Sequence, residues 1–497
     1  MKFAVKAWSN GGRARTGVLQ LSNCPLSIET PSLLLTTRKG LPVFIAPDLL
    51  LSLPSPDSHL LHVSPMHFFE GASRKTISNI GGLHELVGLQ NYGFSASPRD
   101  SMVCLPVAET TNKFGAAFET PCGRLSVIYP SPSLSIYIHT HIATYLRDSF
   151  LSQGYIIFNF FTLLIGISIK FIQLYLSQLC SQIKPSEYVE MVSSLKPNVW
   201  ASLADEVPAY TSESRNKTSV DRTIRWLDEC ISLDQARGTS VLGAIVGGSN
   251  VDERIRCAQE VAKRNVSGFW IGGFGLGDSM DERPALLNAV VDNLPKEKLR
   301  QICGLGLPEE ILQGVAAGID LFDSTYIYQL TLGGFALTFP LNRSERQFSD
   351  SYTSDSSGSD NTKINLRATI YRKDISPIVD GCGCYTCKNH TRAYINHLIN
   401  VHEMLAQILL EIHNTHYYLL NTQFRYEDQS SSGQLFLHIR GHLPSLRYCE
   451  HPKSFHIRRN WFFETQSCSS DCGIFFGKFV LLLVWKIPVQ RLGVQKM

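Results

Sequence analysis

The chain lacks a strong charge of either sign: 46 Lys and Arg against 43 Asp and Glu leave a net charge of +3 over 497 residues. Such a balance neither requires nor excludes a nucleic-acid partner, and any that binds must be met by a local basic face. An even disulfide framework is missing as well, because the 13 cysteines are odd in number and ten of them are scattered. That usage suits a reducing compartment, where thiols stay free unless they bind a metal. The N-terminus, Met1-Lys2-Phe3-Ala4-Val5-Lys6-Ala7-Trp8, has no apolar run long enough for a secretory signal, so a cytoplasmic protein is expected. Gly272-Gly273-Phe274-Gly275-Leu276-Gly277 matches a dinucleotide loop only loosely, and without a clearly placed acidic residue after it that motif is rejected.

What is present is enough apolar material, 44% of residues, to bury a sizeable core. The length fits a large single domain with additions, or two or three ordinary domains. Residues 1–135 show short apolar runs separated by Gly, Pro and Ser, such as Thr16–Leu21 and Leu41–Ile45, and read as strands and loops opening a larger fold. Residues 136–183 form an apolar insert. Its central run, Gly154–Leu176, is broken by Asn159, Lys170 and Gln173. It is long enough for a tilted bilayer span, but the internal charge and the lack of flanking anchors weigh against membrane association. A buried helix, or an insert that does not fold with the rest, are the other readings. Residues 346–362, with the Ser/Asp-rich Ser349–Asp360, read as a disordered loop, and 421–497 as a divergent tail whose Trp461-Phe462-Phe463 and Phe475–Trp485 carry no functional reading.

Between these flanks, residues 184–345 are regular. Strand-like Asn198–Ala204 ends on Asp205-Glu206, and Val220, Ile224, Leu227 and Ile231 recur at helical spacing within a helix over Ser219–Leu233. Strands follow at Val241–Val246, Gly268–Ile271, Gln301–Gly304 and Ile319–Phe322, alternating with helices at Val251–Arg264, Pro284–Leu294 and from Pro308. Units of about 25 to 35 residues match a strand with its crossover helix, and near-continuous apolar strands argue for a parallel sheet covered by helices. The expected fold is an α/β (β/α)8 TIM barrel with an inserted structural-zinc subdomain, a doubly wound open sheet being the alternative. In a barrel, Asp205, Glu206, Gly247, Gly248, Gly272, Gly273 and Asp323 converge on one mouth, the glycines leaving room for a flat ligand or serving simply as turns.

The zinc expectation rests on residues 363–420. Cys382, Cys384 and Cys387, spaced C-x-C-x2-C among glycines, present three thiolates to one tetrahedral ion, and a histidine completes the shell. Spacing nominates His390. A helix read without interruption from Arg392 to His413 offers His413 instead, if it packs antiparallel to the knuckle. His397, His402 and His416 read as solvated or partly buried helix residues. A closed Cys3His shell leaves no open position and holds architecture rather than doing chemistry.

Cys-Tyr-Thr-Cys-Lys-Asn at Cys384–Asn389, then Arg392-Ala393-Tyr394 and Ile412-His413-Asn414, resemble the zinc subdomain of the tRNA-guanine transglycosylases. Leu203-Ala204-Asp205-Glu206, Arg222–Leu227, Gly272-Gly273-Phe274 and Gly318–Asp323 fall in that family's order, so the resemblance covers Asn198–Asn414 well and Gly81–His84 and Phe114–Leu125 weakly. It implies a (β/α)8 barrel, base exchange of guanine for queuine or a precursor at the tRNA wobble position, Cys382, Cys384, Cys387 and His413 as ligands of one Zn2+, and Asp323 at the nucleophile position. Asp205, Gly272 and Gly273 are the implied substrate-binding residues. Where the family has an Asp-Ser-Gly-Gly loop, this sequence reads Tyr92–Ser101 without a glycine pair, and Tyr326–Leu330 stands where the family has Pro-Thr-Arg. These departures resemble the family's non-catalytic subunits, which form a heterodimer with a catalytic subunit of the same fold. That likeness implies tRNA as a partner, queuine as a candidate ligand, and a cytoplasmic site, peripherally on the mitochondrial outer membrane. An independently active transglycosylase using Asp323, and a zinc-stabilised RNA-binding scaffold, are the competing readings.

Overall fold

The computed structural model describes residues 1–9, 12–22, 24–69, 73–100, 102, 105–109, 111–119, 180–234, 240–338, 362–421, 424–425 and 438–439. The first three strands, β1 (Lys2–Trp8), β2 (Arg15–Gln20) and β3 (Ile28–Thr30), form an antiparallel sheet. Next come β4 (Ser32–Thr36), β5 (Leu60–Val63) and β6 (Gly93–Ala96), then an antiparallel pair, β7 (Ala116–Glu119) with β8 (Cys180–Ile183). Five more parallel strands follow: β9 (Val199–Ala201), β10 (Ser240–Ile245), β11 (Gly268–Ile271), β12 (Leu299–Ile302) and β13 (Leu321–Asp323). β13 pairs back onto β4, which closes an eight-stranded barrel in the order β4-β5-β6-β9-β10-β11-β12-β13. The barrel, not the open sheet, is therefore the architecture.

Parallel neighbours need crossovers, and helices supply them. They are α1 (Pro47–Leu50), α2 (Arg74–Ile80), α3 (Leu83–Val87), α4 (Pro185–Leu195), α5 (Glu213–Asp234), α6 (Val251–Ala262), α7 (Arg283–Val291) and α8 (Pro308–Ala317), and α9 (Thr325–Gly333) follows the last barrel strand. α5 turns Val220, Thr223, Trp226, Leu227 and Cys230 inward at helical spacing. Asn250 starts α6 by accepting from the Glu253 N–H at 3.0 Å, and Gly318, at φ 88°, ends α8 in the left-handed conformation that favours glycine. Covered by helices outside and packed inside, strands such as Gly268-Phe269-Trp270-Ile271 are buried on both faces. Across the axis, the Ser95 hydroxyl of β6 donates to the Gln301 side chain of β12 on the opposite wall, at 2.7 Å.

Beyond α9 the chain forms β14 (Phe335–Leu337) and β15 (Lys363–Asn365), then α10 (Tyr385–Asn389), α11 (Arg392–Asn400) and α12 (Leu405–Asn421). These have a small core of their own around Leu366, Ile378, Ile395, Leu398, Leu409 and Leu410.

Two expectations are corrected. Leu41–Ile45 is not a strand: Arg38 and Leu41 close a tight turn through Lys39 and Gly40, both at positive φ, and the local barrel strand is Ser32–Thr36. The uninterrupted helix from Arg392 to His413 is two helices. His402, at φ 61°, ends α11 with its N–H on the Ile399 carbonyl at 3.2 Å and the Glu403 N–H on the Leu398 carbonyl at 2.9 Å, a Schellman turn made without glycine. Gly154–Leu176, Ser349–Asp360, Trp461-Phe462-Phe463 and Phe475–Trp485 lie outside the described residues. Among the described residues no helix is long and apolar enough to cross a membrane.

The N-terminal end of the barrel is closed by charge. Arg15, fully buried on β2, donates through Nε and Nη2 to the Asp320 carboxylate just before β13, and through Nη2 to the Lys298 carbonyl at 2.8 Å. The same carboxylate accepts the Arg300 N–H at 2.7 Å. Burial pushes Asp320 above the usual carboxylate range although Arg15 pulls it down, and burial, followed by the charge of Arg15, brings Arg300 down to about 10. Removing one partner of such a pair strands the other without water, so Asp320→Ala is expected to lose about 3–5 kcal/mol of stability in urea unfolding. Replacing both members by apolar residues, Arg15→Met with Asp320→Leu, is expected to lose much less.

Candidate functional site

Two sites emerge. The first is the thiol cluster. Gly381, at φ 76°, turns the chain into Cys382, and Cys384 caps α10, its sulfur accepting from the Cys387 N–H at 3.2 Å. His413 arrives from α12, with Nδ1 lying 3.9, 3.5 and 3.3 Å from the sulfurs of Cys382, Cys384 and Cys387. All four ligand atoms fall within 4.8 Å of one another. Tetrahedral bonds of about 2.3 Å to sulfur and about 2.0 Å to nitrogen put those atoms about 3.6 Å apart, so the set fits one metal ion.

The neighbours orient the ligands. His413 Nε2 donates to the Leu337 carbonyl at 2.9 Å, which points Nδ1 at the sulfurs. Asn414 accepts from the Leu337 N–H at 2.9 Å and donates to the Phe335 carbonyl at 2.9 Å. Thr386 donates to the Leu409 carbonyl at 2.7 Å, tying α10 to α12. Three sulfurs this close cannot all ionise without a cation: contacts with Cys384 and Cys387 draw Cys382 below the thiol range, and contacts with Cys382 and Cys384 drive Cys387 above it. Burial works against a charge on His413, yet Cys382 and Cys384 raise it to about 9. His390, the nearest in sequence, instead stacks on Tyr394 with centroids 5.3 Å apart. His397 is exposed and His402 forms the turn between the helices.

The second site is the C-terminal mouth of the barrel, where Glu206, Gly248, Gly272 and Gly273 are joined by hydrogen bonds to one another or to Arg254, while the Asp205 carboxylate is held by α5. The Asp205 carboxylate takes both Nη atoms of Arg215, at 2.8 and 2.7 Å, and Arg222 at 3.0 Å. Gly248, Gly272 and Gly273 offer carbonyls to the buried Arg254 at 2.7, 3.2 and 3.3 Å, and its guanidinium lies 4.0 Å from the Phe274 ring centroid. Burial brings Arg254 down to about 10. The Gly247 carbonyl accepts from Asn216 at 2.7 Å, and the Gly273 N–H donates to Glu206 at 2.6 Å. Asp323 is only 4% exposed, and its two oxygens accept the Gly304 N–H at 2.7 Å and the Thr325 N–H at 3.2 Å.

Sequence reasoning missed the side chains that crowd this mouth. After β6, Ser97 donates to the Arg99 carbonyl at 2.8 Å and so accepts from His62 at 2.6 Å. Burial, first of its causes, lowers His62 and keeps it neutral. Asp100 receives the Met102 N–H at 2.7 Å and lies 2.7 Å from His67 Nε2; His67 takes the Lys39 N–H on its other nitrogen. Arg99 donates to Glu206 at 2.9 Å. The available signal was position alone, since Ser97, Arg99 and Asp100 directly follow a barrel strand.

A family model described as Queuine tRNA-ribosyltransferase matches residues 164–423, just over half of the chain. Among curated proteins, the chain is 38% identical over 259 residues to a Xenopus tropicalis protein named Queuine tRNA-ribosyltransferase accessory subunit 2, covering 47% of this chain and 62% of the relative. Proteins of the same name from Homo sapiens and Danio rerio are 37% and 34% identical, covering 47% and 48% of this chain and 63% and 64% of their own lengths. The chain thus spans a little over three fifths of the curated relatives it matches.

The metal centre yields a pH-dependent expectation. Metal must displace the protons that the cluster holds, those on His413 and Cys387 among them, so affinity should rise with pH and uptake should release protons. Competitive chelation between about pH 6 and 9 measures this, and a pH-independent affinity would contradict it.

Proposed function

Since this chain belongs to the queuine tRNA-ribosyltransferase family, we propose that it is a non-catalytic subunit of a heterodimeric enzyme that exchanges guanine for queuine at the tRNA wobble position, with a catalytic paralogue of the same fold and tRNA as its partners. The observation that carries the reading is the state of the mouth carboxylates. A nucleophilic carboxylate needs an open approach to the reacting carbon and a general base must reach the proton it removes, whereas Asp323 is only 4% exposed. Both oxygens of Asp323 already accept backbone N–H groups. Ser97 stands directly after β6, and the carboxylate three residues on, Asp100, is engaged by His67 and Met102. The accessory-subunit names of the relatives point the same way.

The metal in this reading is zinc, one ion per chain. Three thiolates and an imidazole in tetrahedral placement suit it, and with no open position it holds structure. The cytoplasm, including the cytoplasmic face of the mitochondrial outer membrane, is the proposed location, and the buried thiols Cys24, Cys230 and Cys257 suit that reducing setting.

The alternative, independent activity through Asp323, draws on the retention of that carboxylate at the end of β13. Guanine exchange into tRNA, measured with and without the catalytic paralogue, separates the two. The expected result is no turnover by this chain alone, turnover by the pair, and no loss in the pair on Asp323→Asn. Turnover by the isolated chain that Asp323→Asn abolishes would establish the alternative. Elemental analysis is expected to find about one zinc per chain, reduced on Cys384→Ser together with a loss of several kcal/mol of stability, roughly the scale of structural zinc sites.

A further inference from the structure

Arg99 leaves the end of β6 and turns into the mouth, 1% exposed, with Nη1 on Glu206 Oε1 at 2.9 Å. Its guanidinium lies where glycines make room. A Cβ on Gly304 would come 2.6 Å from Arg99 Nη2, one on Gly275 would come 3.3 Å from the same atom, and one on Gly272 would come 2.8 Å from Glu206 Oε1. Glycines following β11 and β12 therefore shape a slot for a flat group, and the flat group in it belongs to the chain itself. The pairing does not use all it could: Glu206 Oε2 and Arg99 Nε are buried without hydrogen-bond partners, so beyond the N–H groups of Arg99 and Gly273 on Oε1 the carboxylate can accept another on Oε2. A carboxylate facing a planar array of N–H donors is the arrangement that recognises guanidine and amidine edges, the two-N–H edge of guanine among them.

We propose that Arg99 is a built-in occupant of the barrel mouth, placing its planar guanidinium, with one N–H on Glu206, where a planar amidine-like ligand would lie, and so keeping such ligands out. This rests on and deepens the accessory-subunit reading, because it gives a physical reason for one mouth of the pair to take no base. Deleting the Arg99 side chain should free both the carboxylate and the glycine-lined slot.

The test uses the full chain with its metal and titrates methylguanidinium, with methylammonium as the control, following the midpoint of thermal unfolding. Wild type is expected to show no saturable response, and Arg99→Ala a saturable rise that methylammonium does not produce. Adding Glu206→Gln to Arg99→Ala should weaken that response about tenfold or more, the scale for losing a hydrogen bond to a charged group. An Arg99→Ala chain that folds only when methylguanidinium is supplied reports the same site. The proposal is overturned if wild type responds as Arg99→Ala does, if Arg99→Ala is indifferent to the probe whether folded or not, or if Glu206→Gln changes nothing. None of these readouts involves tRNA or the catalytic paralogue, so a failure here leaves partner-dependent exchange to be judged separately.

Discussion

Charge inside a barrel is tolerable only where its counterpart is fixed, because a buried ion left alone has neither water nor partner. Three arginines in this fold obey that constraint in different ways. Arg15 meets a carboxylate and main-chain carbonyls and seals the N-terminal end. Arg99 meets Glu206 in the C-terminal mouth. Arg254 meets carbonyls and the face of Phe274, and burial lowers its basicity. Between the two ends, Ser95 and Gln301 are bonded across the axis. The backbone of the mouth is committed as well, since the carbonyls of Gly248, Gly272 and Gly273 face inward to Arg254.

How much of this could be read beforehand depended on whether the signal was local. From Val199 onward each barrel strand is short, apolar apart from the Arg300-Gln301 pair of β12 and the closing Asp323 of β13, and followed by a helix, so the rhythm is visible without tertiary knowledge. The earlier strands are obscured: Ser32–Thr36 sits between turns, and Gly93–Ala96 is small and polar enough to pass for a loop. The turn at His402 was invisible because its residue in the left-handed conformation is not glycine. Arg99 was invisible for another reason: sequence gives no warning that a charged residue after a strand will be buried and paired with a residue more than a hundred positions away.

The thiol cluster divides in the same manner. Cys382, Cys384 and Cys387 announce themselves by spacing. The imidazole does not, because its place depends on where α12 runs after the break at His402, and only the family resemblance chose His413 over His390. The structure adds Asn414 and Leu337, whose part lies in fixing the direction of that ring.

That ring touches two parts of the fold at once. One nitrogen faces the sulfurs while the other ends on the carbonyl of Leu337, in the strand that follows α9. The cluster therefore works as a rivet through two plates: whatever tightens the knuckle also pins the chain where it leaves the barrel, and slack at either plate is felt at the other.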